Sequence, residues 1–103
     1  MPTIVKIGSL AIDVIVTEDA LTVDLADGRS ISVPLAWFPR LLHGTQQERS
    51  KWEFNGGGTG IHWPDLDEDI SVEGLLLGGP SRESARSLRR WLDQRNAKMK
   101  AAS

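Results

Sequence analysis

The sequence contains no cysteine and no tyrosine. The missing thiol excludes disulfides, thiolate metal sites, iron–sulfur clusters and cysteine catalysis. The first apolar stretch, residues 4–16, is interrupted by Lys6 and Asp13 and lacks a small-residue cleavage site. We therefore expect neither a secretory leader nor a membrane span there. Together these absences favour a reducing, cytoplasmic setting.

The remaining composition is that of one folded domain. The chain has 103 residues, of which 40% are hydrophobic and 25% are charged. These proportions are ordinary for a globular protein, so neither a fibrous repeat nor disorder is the default expectation.

The charges are divided unevenly along the chain. Residues 1–79 carry five basic and twelve acidic side chains, whereas residues 80–103 carry seven basic and two acidic ones. We therefore divide the chain into an acidic domain, residues 1–79, and a basic segment, residues 80–103. Such asymmetry creates an oriented electric field and indicates a charged partner.

Alternating apolar residues predict a three-stranded antiparallel meander in the first third of the chain. A three-residue loop over 26–28, with Gly28 left-handed, would pair Val23 with Ile31. A two-residue loop would instead place apolar side chains opposite polar ones. The loop over 17–20 similarly aligns Val14 with Val23. The predicted strands are residues 10–16, 21–25 and 31–33.

The pattern changes to helical spacing after the third strand. Pro39 is compatible with a helix only in its first turn, so the helix must begin near Leu35. Thr45 and Glu48 have the spacing of a capping box and predict a second short helix.

A second hairpin is predicted from two short alternating runs, residues 52–54 and 61–63, with a mobile glycine-rich loop between them. Residues 70–77 read as a short helix closed by Gly78 and Gly79. The expected fold class is therefore α+β: a small antiparallel sheet with short helices and a C-terminal amphipathic helix.

The basic segment predicts that last helix, with Ser81 as its N-cap and Glu83 in its first turn. An apolar stripe includes Ala85, Leu88, Trp91, Leu92 and Met99. Four arginines fall on another face. The predicted partner-binding residues are Arg82, Arg86, Arg89, Arg90 and Trp91.

The clustered arginines repel one another, so a counter-charge should stabilise them. An ordinary solvated face is one interpretation. The specific alternatives are the acidic domain of the same chain, an acidic partner protein, or the phosphates of a nucleic acid. We favour a protein partner over nucleic acid because the acidic domain would repel DNA. A homodimer is a further alternative, because association would bury open sheet edges and an apolar helix.

Most sequence signatures of chemistry are absent. The glycines at 56–60 do not match a dinucleotide-binding or P-loop motif, and the acidic run after Pro64 lacks the glycine of a calcium-binding loop. His43 and His62 form no zinc motif. We expect no cofactor, no metal and no catalysis. An enzyme using His62 with Asp65, Asp67 or Glu68 is the remaining alternative.

Three segments together resemble a family of small bacterial and phage domains, DUF2442, whose function is unknown. They are Asp27–Arg29, Pro34–Leu42 and, above all, Gly60–Leu76. The last contains the residues that mark the family most clearly, which are His62, Trp63, Pro64, Asp65, Asp67, Glu68 and Asp69.

The resemblance covers about residues 6–78 and implies a small α+β domain without defined catalytic residues. Members are often encoded beside another small protein of the DUF4160 kind. That arrangement looks like a toxin–antitoxin pair in which this family supplies the antitoxin. The expected partner is therefore a small protein encoded nearby. The arginine-rich segment after Gly79 lies beyond the resemblance.

Overall fold

The computed structural model describes the backbone of residues 9–102 and the side chains of residues 9–98, and the α+β class is confirmed. The side chain of Met99 and residues 1–8 of the predicted acidic domain lie outside the described residues. The elements in chain order are β1 (Ala11–Val16), β2 (Ala20–Leu25), β3 (Ser30–Pro34), a 3-10 helix (Leu35–Trp37), α1 (Pro39–Leu42), α2 (Gln46–Ser50), β4 (Glu53–Asn55), β5 (Gly60–Trp63), β6 (Glu68–Ser71), α3 (Val72–Leu76) and α4 (Ala85–Ala102).

The first sheet has the predicted order β1-β2-β3 and the predicted register. Val14 lies opposite Val23 in one pair of strands, and Val23 lies opposite Ile31 in the other. The turn after β2 is closed by the Leu25 amide, which donates to the Arg29 carbonyl at 2.8 Å. Gly28 has φ +94°, a conformation that glycine adopts without strain. The three-residue loop is therefore confirmed.

The helical segment after β3 begins at Leu35, as predicted, but it is broken into two pieces. Phe38 has φ −126° and ψ 87°, which ends the 3-10 helix before α1 begins at Pro39. The break has a local cause, because a proline ring disfavours helical geometry in the preceding residue. α2 has the predicted capping box, with Thr45 and Glu48 each accepting from the other's backbone amide.

The second sheet has three strands in the order β4-β5-β6, so the predicted hairpin is confirmed and a third strand is added. The prediction of a helix over 70–77 is wrong at its start, because Ile70 belongs to β6 and lies opposite Ile61 of β5. Ile70 is buried there. The helix begins only at Val72, where the Ser71 hydroxyl accepts the Gly74 amide at 2.9 Å.

The glycine-rich loop between β4 and β5 joins the two sheets. The Ala11 amide donates to the Gly58 carbonyl at 2.9 Å, and Gly58 is buried with φ +113°. A Cβ atom at this position would lie 2.8 Å from the Ala11 carbonyl oxygen. The centre of the loop is therefore packed against β1, and its predicted mobility stays a prediction.

The core is formed by the inner faces of both sheets and the short helices. Trp63 is its largest fully buried side chain, and its indole nitrogen donates to the Arg49 carbonyl at 3.0 Å. The indole is therefore buried with its polar group satisfied. Other fully buried side chains are Leu21, Val23, Leu25, Leu35, Leu41, Ile61, Leu66 and Val72.

The described molecule is elongated, with extents of 49 × 25 × 23 Å. α4 has 18 residues and is therefore about 27 Å long at the usual helical rise. It contacts the body of the protein through Trp91 and Arg95. Within residues 9–102, no helix has the length and apolarity that crossing a bilayer requires.

Candidate functional site

The segment that leads into α4 is attached to the body by backbone and side-chain contacts. The Ser81 amide donates to the Trp37 carbonyl at 2.9 Å. The Arg40 Nε group donates to Glu83 at 2.9 Å, and this ion pair is largely shielded from solvent. Arg40 lowers the pKa of the Glu83 carboxyl below its ordinary value. The basic segment therefore begins as part of the folded body.

The first turn of α4 differs from the prediction. Ser84 is the residue before the helix, and its hydroxyl accepts the Ser87 amide at 3.1 Å in the manner of an N-cap. The predicted cap, Ser81, instead accepts the Glu83 amide at 3.2 Å outside the helix. Glu83 precedes the helix, and its carboxylate accepts both the Ser87 hydroxyl of the first turn at 2.8 Å and the Arg40 guanidinium, a contact across 43 residues that local spacing cannot reveal.

Trp91 attaches the helix itself. It is half-buried and packs against the core, and the guanidinium carbons of Arg40 and Arg95 each lie 5.3 Å from its ring centroid. Such cation–π contacts contribute about 0.5–2 kcal/mol, depending on desolvation. The observed contacts of Trp91 are therefore within the chain, and its role in partner binding stays a prediction.

A second ion pair attaches α4 to the body of the protein, one helical turn after Trp91. The Arg95 guanidinium makes a two-point contact with the Glu48 carboxylate, with one N–O distance of 2.8 Å. This contact, helped by the Thr45 amide, outweighs the effect of burial and lowers the pKa of Glu48 to about 2. Glu48 therefore serves two structures at once, the capping box of α2 and the attachment of α4.

The four predicted arginines remain exposed. Arg86, Arg89 and Arg90 lie on α4, whereas Arg82 precedes the helix, so the prediction that all four share one helix face is corrected for Arg82. Within residues 9–98, no ion pair involves any of these four side chains. We call these four exposed arginines, which form no ion pair within the described residues, the arginine surface.

The acidic residues of the family segment contact different neighbours. The Asp69 carboxylate lies 2.9 Å from His62 Nδ1, across the strand pair β5-β6. The Asp67 carboxylate lies 3.5 Å from the Arg40 guanidinium, and that of Asp65 lies 3.5 Å from the Lys51 ammonium. The three carboxylates are therefore held by three separate contacts and do not converge on His62.

The other residues of this segment are structural. Trp63 is buried in the core, and Pro64 follows it at the start of the turn that leads to β6. Glu68 lies opposite Trp63 in the strand register and is largely buried, which raises the pKa of its carboxyl. Among the described residues, no three His, Asp or Glu side chains are grouped to hold a metal ion.

Three arginines make many of the contacts that hold this arrangement together, and the sequence pattern does not predict their roles. They are Arg40, Arg49 and Arg95. Arg49 is buried and donates to the carbonyls of Leu41 and Leu42, each at 2.8 Å. One signal was available, since Arg95 stands four residues after Trp91, where a long side chain can cover the ring. The partners of Arg40 and Arg49 depend on tertiary folding.

These features define a class of protein: a small α+β domain of two antiparallel sheets, with a basic helix fastened to it by Trp91 and two ion pairs. The family model described as a protein of unknown function, DUF2442, matches residues 11–81. The chain belongs to this family. The matched region ends at Ser81, so the arginine surface lies outside it. No curated protein matches the sequence.

Two solved structures share the fold. A protein of unknown function from Rhodospirillum rubrum is 26% identical with a TM-score of 0.62, and the match covers 72% of this chain and 92% of that protein. An uncharacterised protein from Chromobacterium violaceum is 24% identical with a TM-score of 0.60, covering 79% of this chain and 74% of the other. Both relatives are themselves of unknown function.

Proposed function

We propose that this protein acts by binding another protein in the cytoplasm, and that it is the antitoxin of a toxin–antitoxin pair. The observation that supports a binding role is the arginine surface. Arg40, Arg49 and Arg95 are all engaged by carboxylates or carbonyls of the same chain. The four arginines of the surface are exposed and form no ion pair within residues 9–98.

The spacing of the arginine surface favours an acidic partner. Arg86 lies three and four residues before Arg89 and Arg90, a spacing at which like charges destabilise a helix by about 0.2–0.5 kcal/mol per pair. A partner carboxylate would reverse that cost and add charge-assisted hydrogen bonds. The exposure of these side chains makes them accessible to a protein surface.

Binding is also better supported than catalysis. The carboxylates of Asp65 and Asp67 are engaged by Lys51 and Arg40, so they do not form an acid–base group with the His62 imidazole. The toxin–antitoxin assignment rests on the gene arrangement that the family resemblance implies. A small protein encoded beside this one is the expected partner.

The experiment is co-expression with that neighbouring small protein, followed by co-purification and an affinity measurement. We expect a complex in which R86E/R90E weakens binding about tenfold or more. The matched control is K51E/K98E, which changes the net charge by the same amount. Its two positions lie near Asp65 and not on the arginine surface. Absence of a complex, or equal weakening by both double variants, contradicts the proposal.

Nucleic acid is the alternative outcome of the same experiment. If a 20-base-pair duplex binds at low ionic strength, and its affinity falls steeply with salt, the arginines contact phosphates. We expect no such binding, because the acidic body adjoins the basic surface.

A further inference from the structure

A groove of about 740 Å³ runs beside β6, on the side of that strand away from β5. Its lining includes the segment from Gly79 to Glu83 and the largely buried apolar residues Phe38, Ile70 and Leu75 at its base. Leu77 also lines it, with 79% of its surface exposed. The groove is therefore an exposed, partly apolar surface next to the edge of a sheet.

The backbone of β6 presents unpaired positions to this groove. The Val72 amide, directly after β6, donates to the Thr59 carbonyl, directly before β5, at 2.9 Å, so this bond continues the ladder between the two strands. Bonded and non-bonded pairs alternate along antiparallel strands. The amides of Asp69 and Ser71 therefore face away from β5, toward the free edge.

Glu68 covers part of that edge. Its Oε1 atom accepts the Asp69 amide at 3.1 Å. Its Oε2 atom is buried and has no hydrogen-bond partner among the described residues. A charged side chain that points inward at an edge is a known protection against unwanted strand pairing. The carboxylate therefore occupies the place that a partner strand's carbonyl would take.

The charges around the groove favour a basic occupant. Four carboxylates line it, and Arg40 and Arg82 are the two cations in its lining. Arg40 is engaged by Glu83 and Asp67, and with Arg82 counted as well the lining keeps an excess of two negative charges when all these groups are ionised. The lining carboxylates are those of Asp67, Glu68, Asp69 and Glu83.

We propose that this groove binds an extended, positively charged segment of a partner protein, which adds to β6 as a further strand. A carbonyl of the segment would accept the Asp69 amide in place of Glu68. The carboxylate of Glu68 would then turn toward an arginine or lysine of the segment. In strand addition, main-chain hydrogen bonds between the two strands supply the affinity. The side chains at every second position of the added strand contact the binding protein and supply the specificity. Arg82 belongs to both surfaces, whereas the helical arginines Arg86, Arg89 and Arg90 do not line the groove.

The test uses the full-length protein labelled with 15N and a peptide of sequence Thr-Arg-Val-Arg-Val-Arg-Thr, capped at both ends. We expect saturable chemical-shift changes at the amides of residues 68–71 and none at β4, the other edge of the same sheet. A peptide with glutamates in place of the arginines should bind about tenfold more weakly or worse. A peptide N-methylated at alternate residues should lose binding, because it cannot pair with a strand edge.

Two protein variants then separate the role of Glu68 from overall charge. E68Q should lower the affinity for the arginine peptide about fivefold. E53Q on β4 changes the net charge by the same amount and should leave that affinity within a factor of two. Equal binding of the glutamate or N-methylated peptide by the wild-type protein overturns the proposal, as do shift changes confined to α4. These peptide results are independent of the co-purification experiment, which uses a different surface and a different ligand.

Discussion

Arg49 is a charged side chain that the fold places among apolar neighbours, with 7% of its surface exposed. Its guanidinium donates to two carbonyls at the end of α1, those of Leu41 and Leu42, where a helix has fewer backbone donors than in its interior. Its own carbonyl accepts the Trp63 indole. Arg49 therefore connects α1, α2 and the core through one residue.

We expect R49M to lower the free energy of unfolding by about 2–4 kcal/mol, because it retains most of the volume but removes the guanidinium that donates to the carbonyls of Leu41 and Leu42. Urea denaturation at pH 7 measures the change. The control is R86M on the exposed arginine surface, for which we expect a change within about 0.5 kcal/mol. Equal losses in both variants would show that the two carbonyl contacts do not matter.

Glu48 makes the attachment of α4 sensitive to acid. Arg95 lowers its folded pKa to about 2, from an ordinary value of 4.5. A carboxyl whose folded pKa is lowered stabilises the protein above its unfolded pKa and loses that contribution as pH falls through the folded pKa. The stabilisation should therefore be complete above about pH 5 and lost toward about pH 2.

We expect E48Q to lower the free energy of unfolding at pH 7 by about 2–3 kcal/mol, since both side chains of the ion pair are largely buried. The difference from wild type should shrink steadily between about pH 5 and about pH 2. Urea titrations across this range measure it, with E53Q as the exposed control. A difference that stays constant with pH would contradict the ion-pair explanation.

At the scale of elements, the beginning of α4 depends on which serine caps it. Both Ser81 and Ser84 are chemically suitable, but only Ser84 has its hydroxyl bonded within the first helical turn. The capping interaction contributes about 1 kcal/mol in typical helices.

We expect S84A to lower the free energy of unfolding by about 1 kcal/mol and to speed hydrogen exchange of the amides at 85–88. S81A should leave exchange at these amides unchanged, because its hydroxyl bonds the Glu83 amide outside the helix. Faster exchange in S81A than in S84A would restore Ser81 as the cap.

The strands that could be predicted are those whose pattern is visible in the sequence. β2 alternates apolar and polar residues, and Gly28 fixes the turn after it, so its register followed from local information. β6 contains one apolar residue, Ile70, between acidic and polar neighbours. It is a strand because β5 pairs with it, and a pairing partner is not visible in a local pattern.

The candidate site shows the same division between local and distant information. The exposure of Arg86, Arg89 and Arg90 could be predicted from helical spacing. The engagement of Trp91 by Arg40 could not, because it depends on how a helix folds back over residues far away in the chain. Charge and periodicity identify surfaces, whereas tertiary contacts decide which of their residues stay available.

At the scale of the whole molecule, the body and α4 share contacts across the predicted division after residue 79. Glu83 and Trp91 both belong to the basic segment, yet both contact Arg40 of the body. The division into residues 1–79 and 80–103 stays a prediction, and shortening the chain tests it.

We expect a chain ending at Glu83 to remain folded but to lose about 3 kcal/mol of stability, because Trp91 packing and the Glu48–Arg95 pair are removed. A chain ending at Gly79 should lose more, since it also leaves Arg40 without Glu83. Amide NMR spectra and urea denaturation measure both chains. Unchanged stability of the shorter chain would mean that the basic segment contributes nothing to the body.

The contact between Gly58 and Ala11 has a practical consequence for engineering. Loops joining two strands are common places to introduce a peptide tag or a fluorophore. Here the crowded backbone makes Gly58 itself unsuitable, because a side chain at this position would collide with Ala11 of the other sheet. Gly78 has φ +75° and open space where a side chain would begin, so added bulk fits there if the left-handed backbone is kept. An asparagine-led insertion at Gly78 would leave the joint between the sheets intact.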